Sequence, residues 1–340
     1  MSFSDILGQE SAKKLLKQVM AIGKIPHAYL FTGIRGIGKT SMAVAMAMAL
    51  NCHEPVDFDS CGNCSSCRKI MAGNSPDFIS IKPDGQHIKI EQIRDDLNRK
   101  INFAPLAKYR VCVVNQAETM TDEAANSFLK LLEEPPPGNI FILNAKEQLD
   151  LLETIVSRCR RVSFHPLPVK GITDWLVKNR GIDREVATLS AGISGGSLGR
   201  AIKMQEGDFF EKRQKWLLRL IRLPALSKDE CFEMAVNCAD EAKKIGLAVS
   251  ESGESGIMDA LSVWETWFRD LLLVKIGSPT DLLINVDFSH KLKKIAESFS
   301  MANLIDSLFV VDQAGRDLLR MQNITLVIEH TVLKLKQFTG

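Results

Sequence analysis

The chain has 340 residues, 45% hydrophobic and 25% charged, and its 43 basic and 41 acidic side chains leave a net charge of +2. That length exceeds what one compact core ordinarily serves, so two or three domains are expected. The near balance of charge excludes a domain that grips nucleic acid through a bulk basic surplus. No run of about 18 uncharged apolar residues is present, which excludes a membrane-spanning helix.

The N-terminus, MSFSDILGQESAKK, carries acids and no apolar signal core, so residence in the cytoplasm is expected. His27–Thr32 (HAYLFT) reads as a buried strand. It leads into Gly33-Ile34-Arg35-Gly36-Ile37-Gly38-Lys39-Thr40, which matches the phosphate-binding pattern G-x-x-x-x-G-K-[ST]. Glycines let backbone N–H groups turn inward around phosphates, at a helix N-terminus whose dipole favours anions. The helix is expected over Ser41–Leu50 (SMAVAMAMAL). Gly33, Arg35, Gly36, Ile37, Gly38, Lys39, Thr40 and Ser41 are therefore candidate nucleotide-binding residues. Lys39 would reach the β- and γ-phosphates, and the Thr40 hydroxyl would be a weak magnesium ligand beside bound ATP.

Cysteines follow at once. Cys52, Cys61, Cys64 and Cys67 form C-x₈-C-x₂-C-x₂-C, whereas Cys112, Cys159, Cys231 and Cys238 are scattered. A disulfide framework is unusual in a chain of this size in reducing surroundings. Four thiolates at such spacing suit a closed tetrahedral zinc site, structural rather than catalytic, with His53 a weaker competing ligand.

Further along, Tyr109–Val114 (YRVCVV) and Asn139–Leu143 (NIFIL) read as strands, and Thr121–Glu134 as the helix between them. Apolar strands alternating with helices indicate a parallel α/β sheet. A nucleotide hydrolase of this kind needs acids at the tip of the strand beside the phosphate loop, one for Mg²⁺ and one to polarise water. Here Tyr109–Val114 runs into Asn115-Gln116, amides that carry no charge and take no proton. Glu118 falls in what reads as a loop, a poor substitute. The expectation is ATP binding with weak hydrolysis.

Beyond His165-Pro166 strand signals largely stop. Val169–Asn179, Asp183–Ala191 and Ser197–Met204 read as short helices broken at Gly181 and at Gly195-Gly196. Longer helical patterns run from Asp208, interrupted at Gly277–Asn285 and at Ser250–Gly256, where SESGESG reads as a mobile loop.

HAYLFTGIRGIGKTSMA followed by LNC and CGNCSSC resembles the gamma/tau and delta-prime subunits of the bacterial DNA polymerase III clamp loader. FSDILGQESAKKLLKQ, NSFLKLLEEPPP and TIVSRC extend the likeness, which covers residues 1–204 and returns in NITLVIE at Asn323–Glu329. The resemblance implies an α/β AAA+ P-loop domain over residues 1–165 with a zinc-binding insertion at about 52–67. A helical lid over 166–207 and an all-helical collar over 208–340 would follow. It implies that Arg158 is an arginine finger acting in trans on a neighbour's ATP. A γ-phosphate-sensing arginine is expected where Gly199 stands, with Arg200 one step around the helix. Asn115 and Gln116 point within the family to delta-prime; the alternative is a short gamma/tau-like ATPase motor. Implied partners are gamma/tau and delta in a heteropentamer, the sliding clamp, and primed DNA through the complex. Trp216, Leu217, Leu220, Leu261, Trp264 and Trp267 are expected either to pack the collar ring or to fill the domain's own core, the latter being the default.

Overall fold

The structure, a computed structural model, describes residues 1–245, 256–320 and 322–338. The loop expected at Ser250–Gly256 lies, apart from Gly256, outside the described residues. The chain divides into two compact units, one of residues 1–171 with 196–199, the other of residues 172–195 with 200–340.

The first unit is built on five strands, β1 (Ala28–Thr32), β2 (Phe78–Ile81), β3 (Arg110–Asn115), β4 (Asn139–Ala145) and β5 (Arg160–Ser163). They form one parallel sheet in the order β2-β3-β4-β1-β5. β3 and β4 are buried along their whole length, as continuous apolar runs covered on both faces must be. The edge strands differ: β2 and β5 alternate or expose their residues, and Arg160-Arg161 reads as polar chain. The sequence therefore shows the central strands and hides the two edges.

Helices α1 (Glu10–Ile22), α2 (Lys39–Leu50), α3 (Ser65–Met71), α4 (Arg99–Ile101), α5 (Asp122–Glu133) and α6 (Glu153–Arg158) surround this sheet. α2 begins at Lys39, two residues before the predicted start, because Gly38 at φ +109° closes the loop and caps the helix. Seven of its residues from Met42 to Ala49 are buried, which its apolar sequence allows on every face. Thr121 caps α5 by accepting from the Ala124 amide at 3.3 Å. Arg110 and Asp77 form a buried ion pair at 3.2 Å under the loop that leads into β3. Topology and helices together are the α/β AAA+ arrangement that the resemblance implies.

The second unit is helical. α7 (Val169–Arg180) enters it, α8 (Arg184–Ile193) follows, and α9 (Leu198–Lys203) re-enters it after the 196–199 segment. Then come α10 (Phe209–Arg222), α11 (Lys228–Ile245), α12 (Ile257–Lys275), α13 (Ser289–Ser298), α14 (Met301–Leu319) and α15 (Ile324–Phe338). Trp216, Leu217, Leu220, Leu261, Trp264 and Trp267 are all buried in this unit's own core. Their apolar bulk is thus spent within the chain. The segment between α12 and α13 is tied down by Asp270, fully buried, which accepts from the amides of Ile284 at 3.0 Å and Asn285 at 2.6 Å. No described helix is long and apolar enough to cross a membrane.

Candidate nucleotide site and cysteine cluster

The phosphate loop starts where β1 ends. The Gly33 amide donates to the carbonyls of Ala145 at 3.3 Å and Lys146 at 3.0 Å, which pins the loop to the tip of β4. At φ +147°, with a would-be Cβ only 2.7 Å from the Phe164 carbonyl oxygen, position 33 admits glycine alone. Ile37, 2% exposed, anchors the loop's middle in the core while Arg35 and Gly36 stay exposed. Lys39 Nζ donates to the carbonyls of Gly33 and Ile34, the latter at 3.0 Å. Burial brings the Lys39 pKa down to about 8, with the Glu118 charge opposing the fall and Arg35 adding to it. An ammonium so placed exchanges loop carbonyls for phosphate oxygens at small cost in order.

The strand tips supply the second half of the site. β3 and β4 pair in register at Asn115 and Asn144. The Thr40 hydroxyl donates to Asn115 Oδ1 at 2.7 Å, and Asn144 Nδ2 donates to the same oxygen at 2.9 Å. Asn144 Nδ2 also reaches Thr40 Oγ1 at 3.3 Å, while Asn115 Nδ2 donates to Ser80 Oγ at 3.1 Å and to the Ile81 carbonyl at 3.2 Å. Every member of this network is neutral. A magnesium ion next to Thr40 would find an amide oxygen where a carboxylate ordinarily stands. Gln116 takes a left-handed turn at φ +53° directly after the strand. Asn144 and Ser80 escaped the sequence reading; a polar residue ending the apolar run NIFIL was the available signal for Asn144.

Glu118 sits, as expected, in the connection after β3, between that strand and α5. It lies in a tight 3-10 turn, Ala117–Thr119, half-buried rather than loose in a loop. Burial pushes its carboxyl above the usual range, against the pull of its own amide and of Lys39; Asp150 adds to the rise and the Lys146 amide opposes it.

The cysteine cluster forms beside the N-terminal segment. Cys52, Cys61, Cys64 and Cys67 bring four Sγ atoms within 4.8 Å of one another, and His53 is outside the group. A tetrahedron of sulfurs at Zn–S distances of about 2.3 Å has edges of roughly 3.8 Å, so a small contraction seats a metal. The amides of Cys61, Cys64 and Cys67 donate to the sulfurs of Cys52, Cys61 and Cys64 at 3.3, 3.3 and 3.5 Å. These are the knuckle contacts that stabilise thiolates. For Cys64 burial opposes ionisation, but amides of His53 and Cys67 and the neighbouring thiols bring it down to about 6. Asp59 Oδ1 fastens the insertion by accepting from the Phe3 amide at 2.9 Å.

A family model described as DNA polymerase III, delta subunit, matches residues 8–168. The DNA polymerase III subunit delta' of Bacillus subtilis is 28% identical over 330 residues, which cover 97% of this chain and 96% of that protein. Along nearly its whole length the chain is similar to subunits of the DNA polymerase III clamp-loader family. The Escherichia coli subunit delta' is 31% identical over 204 residues, covering 59% of this chain and 61% of that protein. The Bacillus subtilis subunit tau is 28% identical, covering 98% of this chain and 61% of that protein. The chain thus spans nearly the whole of one delta' relative and under two thirds of the other relatives.

Two family expectations concern single residues. Where a γ-phosphate-sensing arginine was sought, the Gly199 amide donates to the Gly36 carbonyl at 2.9 Å, and Ser197 Oγ donates to the Arg35 carbonyl at 2.8 Å. A Cβ at 199 would stand 2.9 Å from Gly36 Cα, so this backbone approach has no room for a side chain. Arg200 Nη2 is paired with Asp259 Oδ1 at 2.9 Å, in the helical unit. Arg158 closes α6 with its side chain 37% exposed; it donates to the Thr154 carbonyl at 3.0 Å and pairs with Glu133 at 3.0 Å. The same exposed guanidinium could turn outward at the expense of one surface ion pair.

Proposed function

We propose that the chain is a delta-prime-type clamp-loader subunit that binds ATP, hydrolyses it poorly, and lends Arg158 to the ATP site of an adjacent subunit. The observation that carries this reading is the neutral network of Thr40, Asn115 and Asn144 beside an intact phosphate loop. Loop amides and Lys39 suffice to hold phosphates. Cleavage asks for a carboxylate that fixes magnesium and another that polarises water, and amides at 115 and 116 do neither. The proposed setting is a cytoplasmic heteropentamer with gamma/tau and delta, acting on the sliding clamp and primed DNA. In that setting residues 1–165, 166–207 and 208–340 serve as AAA+ domain, lid and collar.

Steady-state hydrolysis by the isolated chain is expected well below 1 s⁻¹, near the slow end of ordinary enzyme rates. Nucleotide affinity should fall sharply in Lys39→Ala. Turnover of order 1 s⁻¹ or faster would move the chain to the second reading, a short gamma/tau-like motor. That reading draws its support from the intact loop and from Glu118 near Lys39.

The four clustered thiols would hold a structural zinc ion, which supplies cross-linking of the insertion and no chemistry. Cys61→Ser with Cys64→Ser is expected to remove one bound zinc per chain, measured by elemental analysis, and to lower the thermal midpoint. Zinc-finger peptides gain roughly 10–16 kcal/mol from the metal. A wild-type chain purified without zinc, and equally stable with chelator, would refute the site.

A further inference from the structure

β3 ends in two amides, yet a carboxylate stands two residues beyond them. Glu118 Oε2 is buried and has no hydrogen-bond partner among the described residues. The charged groups that act on it are Lys39, from α2, and Asp150, from the turn after β4; the amides of Glu118 and Lys146 lie beside it. The Lys146 carbonyl in turn receives the Gly33 amide at 3.0 Å. The first glycine of the loop, the lysine at its end and the Glu118 carboxylate therefore converge at the C-terminal ends of the inner strands β1, β3 and β4. Buried carboxylate oxygens are ordinarily paired. This one is left without a partner among the described residues, within electrostatic reach of Lys39, the side chain that would meet terminal phosphates.

We propose that Glu118 is a charge selector, making this site favour a nucleoside diphosphate over a triphosphate. The inference rests on the nucleotide-binding reading above. Loop amides hold the β-phosphate in either nucleotide, so the third phosphoryl group is what meets Glu118. Lys39 supplies one positive charge there, and Glu118 offsets part of it. Asn115 and Asn144 are neutral, and Asp150 adds negative charge rather than relieving it. Arg35 reaches Lys39 electrostatically but is exposed to screening solvent. Like charges confined to one half-buried site shift an equilibrium about tenfold or more.

Calorimetric titration of the full chain with ADP and with ATP, each with magnesium, tests this on wild type, Glu118→Gln and Lys39→Ala. Wild type should bind ADP more tightly than ATP. Glu118→Gln, of the same shape, should strengthen ATP binding about tenfold and ADP binding less than about twofold. Equal affinities in wild type, or an equal shift for both nucleotides in the glutamine variant, overturn the selector. So does ATP turnover by wild type that Glu118→Gln abolishes, since Glu118 would then be a general base. If neither wild type nor Glu118→Gln binds any nucleotide and Lys39→Ala changes nothing, the nucleotide-binding reading falls, and the selector falls with it. Far-UV spectra and thermal midpoints establish that each variant is folded.

Discussion

Arg158→Ala is expected to slow hydrolysis at the adjacent clamp-loader site by about 10³-fold or more while leaving this chain's own nucleotide affinity unchanged. An arginine supplied in trans neutralises charge that develops on the transferred phosphoryl group. The side chain is available: its pairing with Glu133 is a surface contact, with the two side chains 37% and 52% exposed. Such a pair contributes about 0–1 kcal/mol, so breaking it on assembly is cheap. Single-turnover hydrolysis by the reconstituted, DNA-stimulated complex measures the effect, and total steady-state rate should fall by that site's share. Arg158→Lys should rescue little, because the ammonium lacks the planar fork. Glu133→Ala should leave the rate intact, since it removes only a solvated surface pair. Full activity of the Arg158→Ala complex would withdraw the finger assignment.

Asp77→Ala is expected to destabilise the α/β unit by about 3–5 kcal/mol. Asp77 and Arg110 are 3% and 6% exposed, so removing either strands the other without water. They also hold the connection into β3. Asp77 accepts from the amides of Leu106 at 3.2 Å and Ala107 at 2.6 Å. Arg110 donates to the carbonyls of Lys100 at 2.5 Å, Phe103 at 2.8 Å and Ala104 at 3.3 Å. The pair is thus a brace for a loop that lacks an internal backbone ladder. Because β3 carries Asn115 at its far end, loosening of this brace should weaken nucleotide binding as well. Denaturant unfolding and the thermal midpoint measure the change; at about 2–4 °C per kcal/mol for a unit of this size, a drop of roughly 10 °C is anticipated. A change under about 1 kcal/mol, the ordinary value for a solvated pair, would show that the pair is hydrated in solution.

Local signals explain what could be read in advance. The phosphate loop is a pattern of eight consecutive residues, and the cysteine cluster spans sixteen. Short connections bring such groups together whatever the rest of the fold does. β1, β3 and β4 announce themselves because both their faces are covered, so their residues are apolar without interruption. β2 and β5 stayed hidden for the converse reason, that an edge strand tolerates Ser80, Arg160 and Arg161. The burial of Glu118 was not legible in advance, because burial of a turn depends on what packs over it, which no local pattern records.

The chain alone determined that a loop of phosphate-binding pattern follows β1, that the tip of β3 lacks acids, that four cysteines fall within sixteen residues, and that helices dominate the C-terminal half. Tertiary structure decided which groups meet around that loop. Thr40 touches Asn144 across 104 positions of sequence, Ser197 reaches Arg35 across 162, and Glu118 comes within electrostatic reach of Lys39. The reason is geometric: strand order places β4 between β1 and β3, and the partners at their tips are set by sheet register and by the turns that follow, neither of which is written in any short stretch of residues.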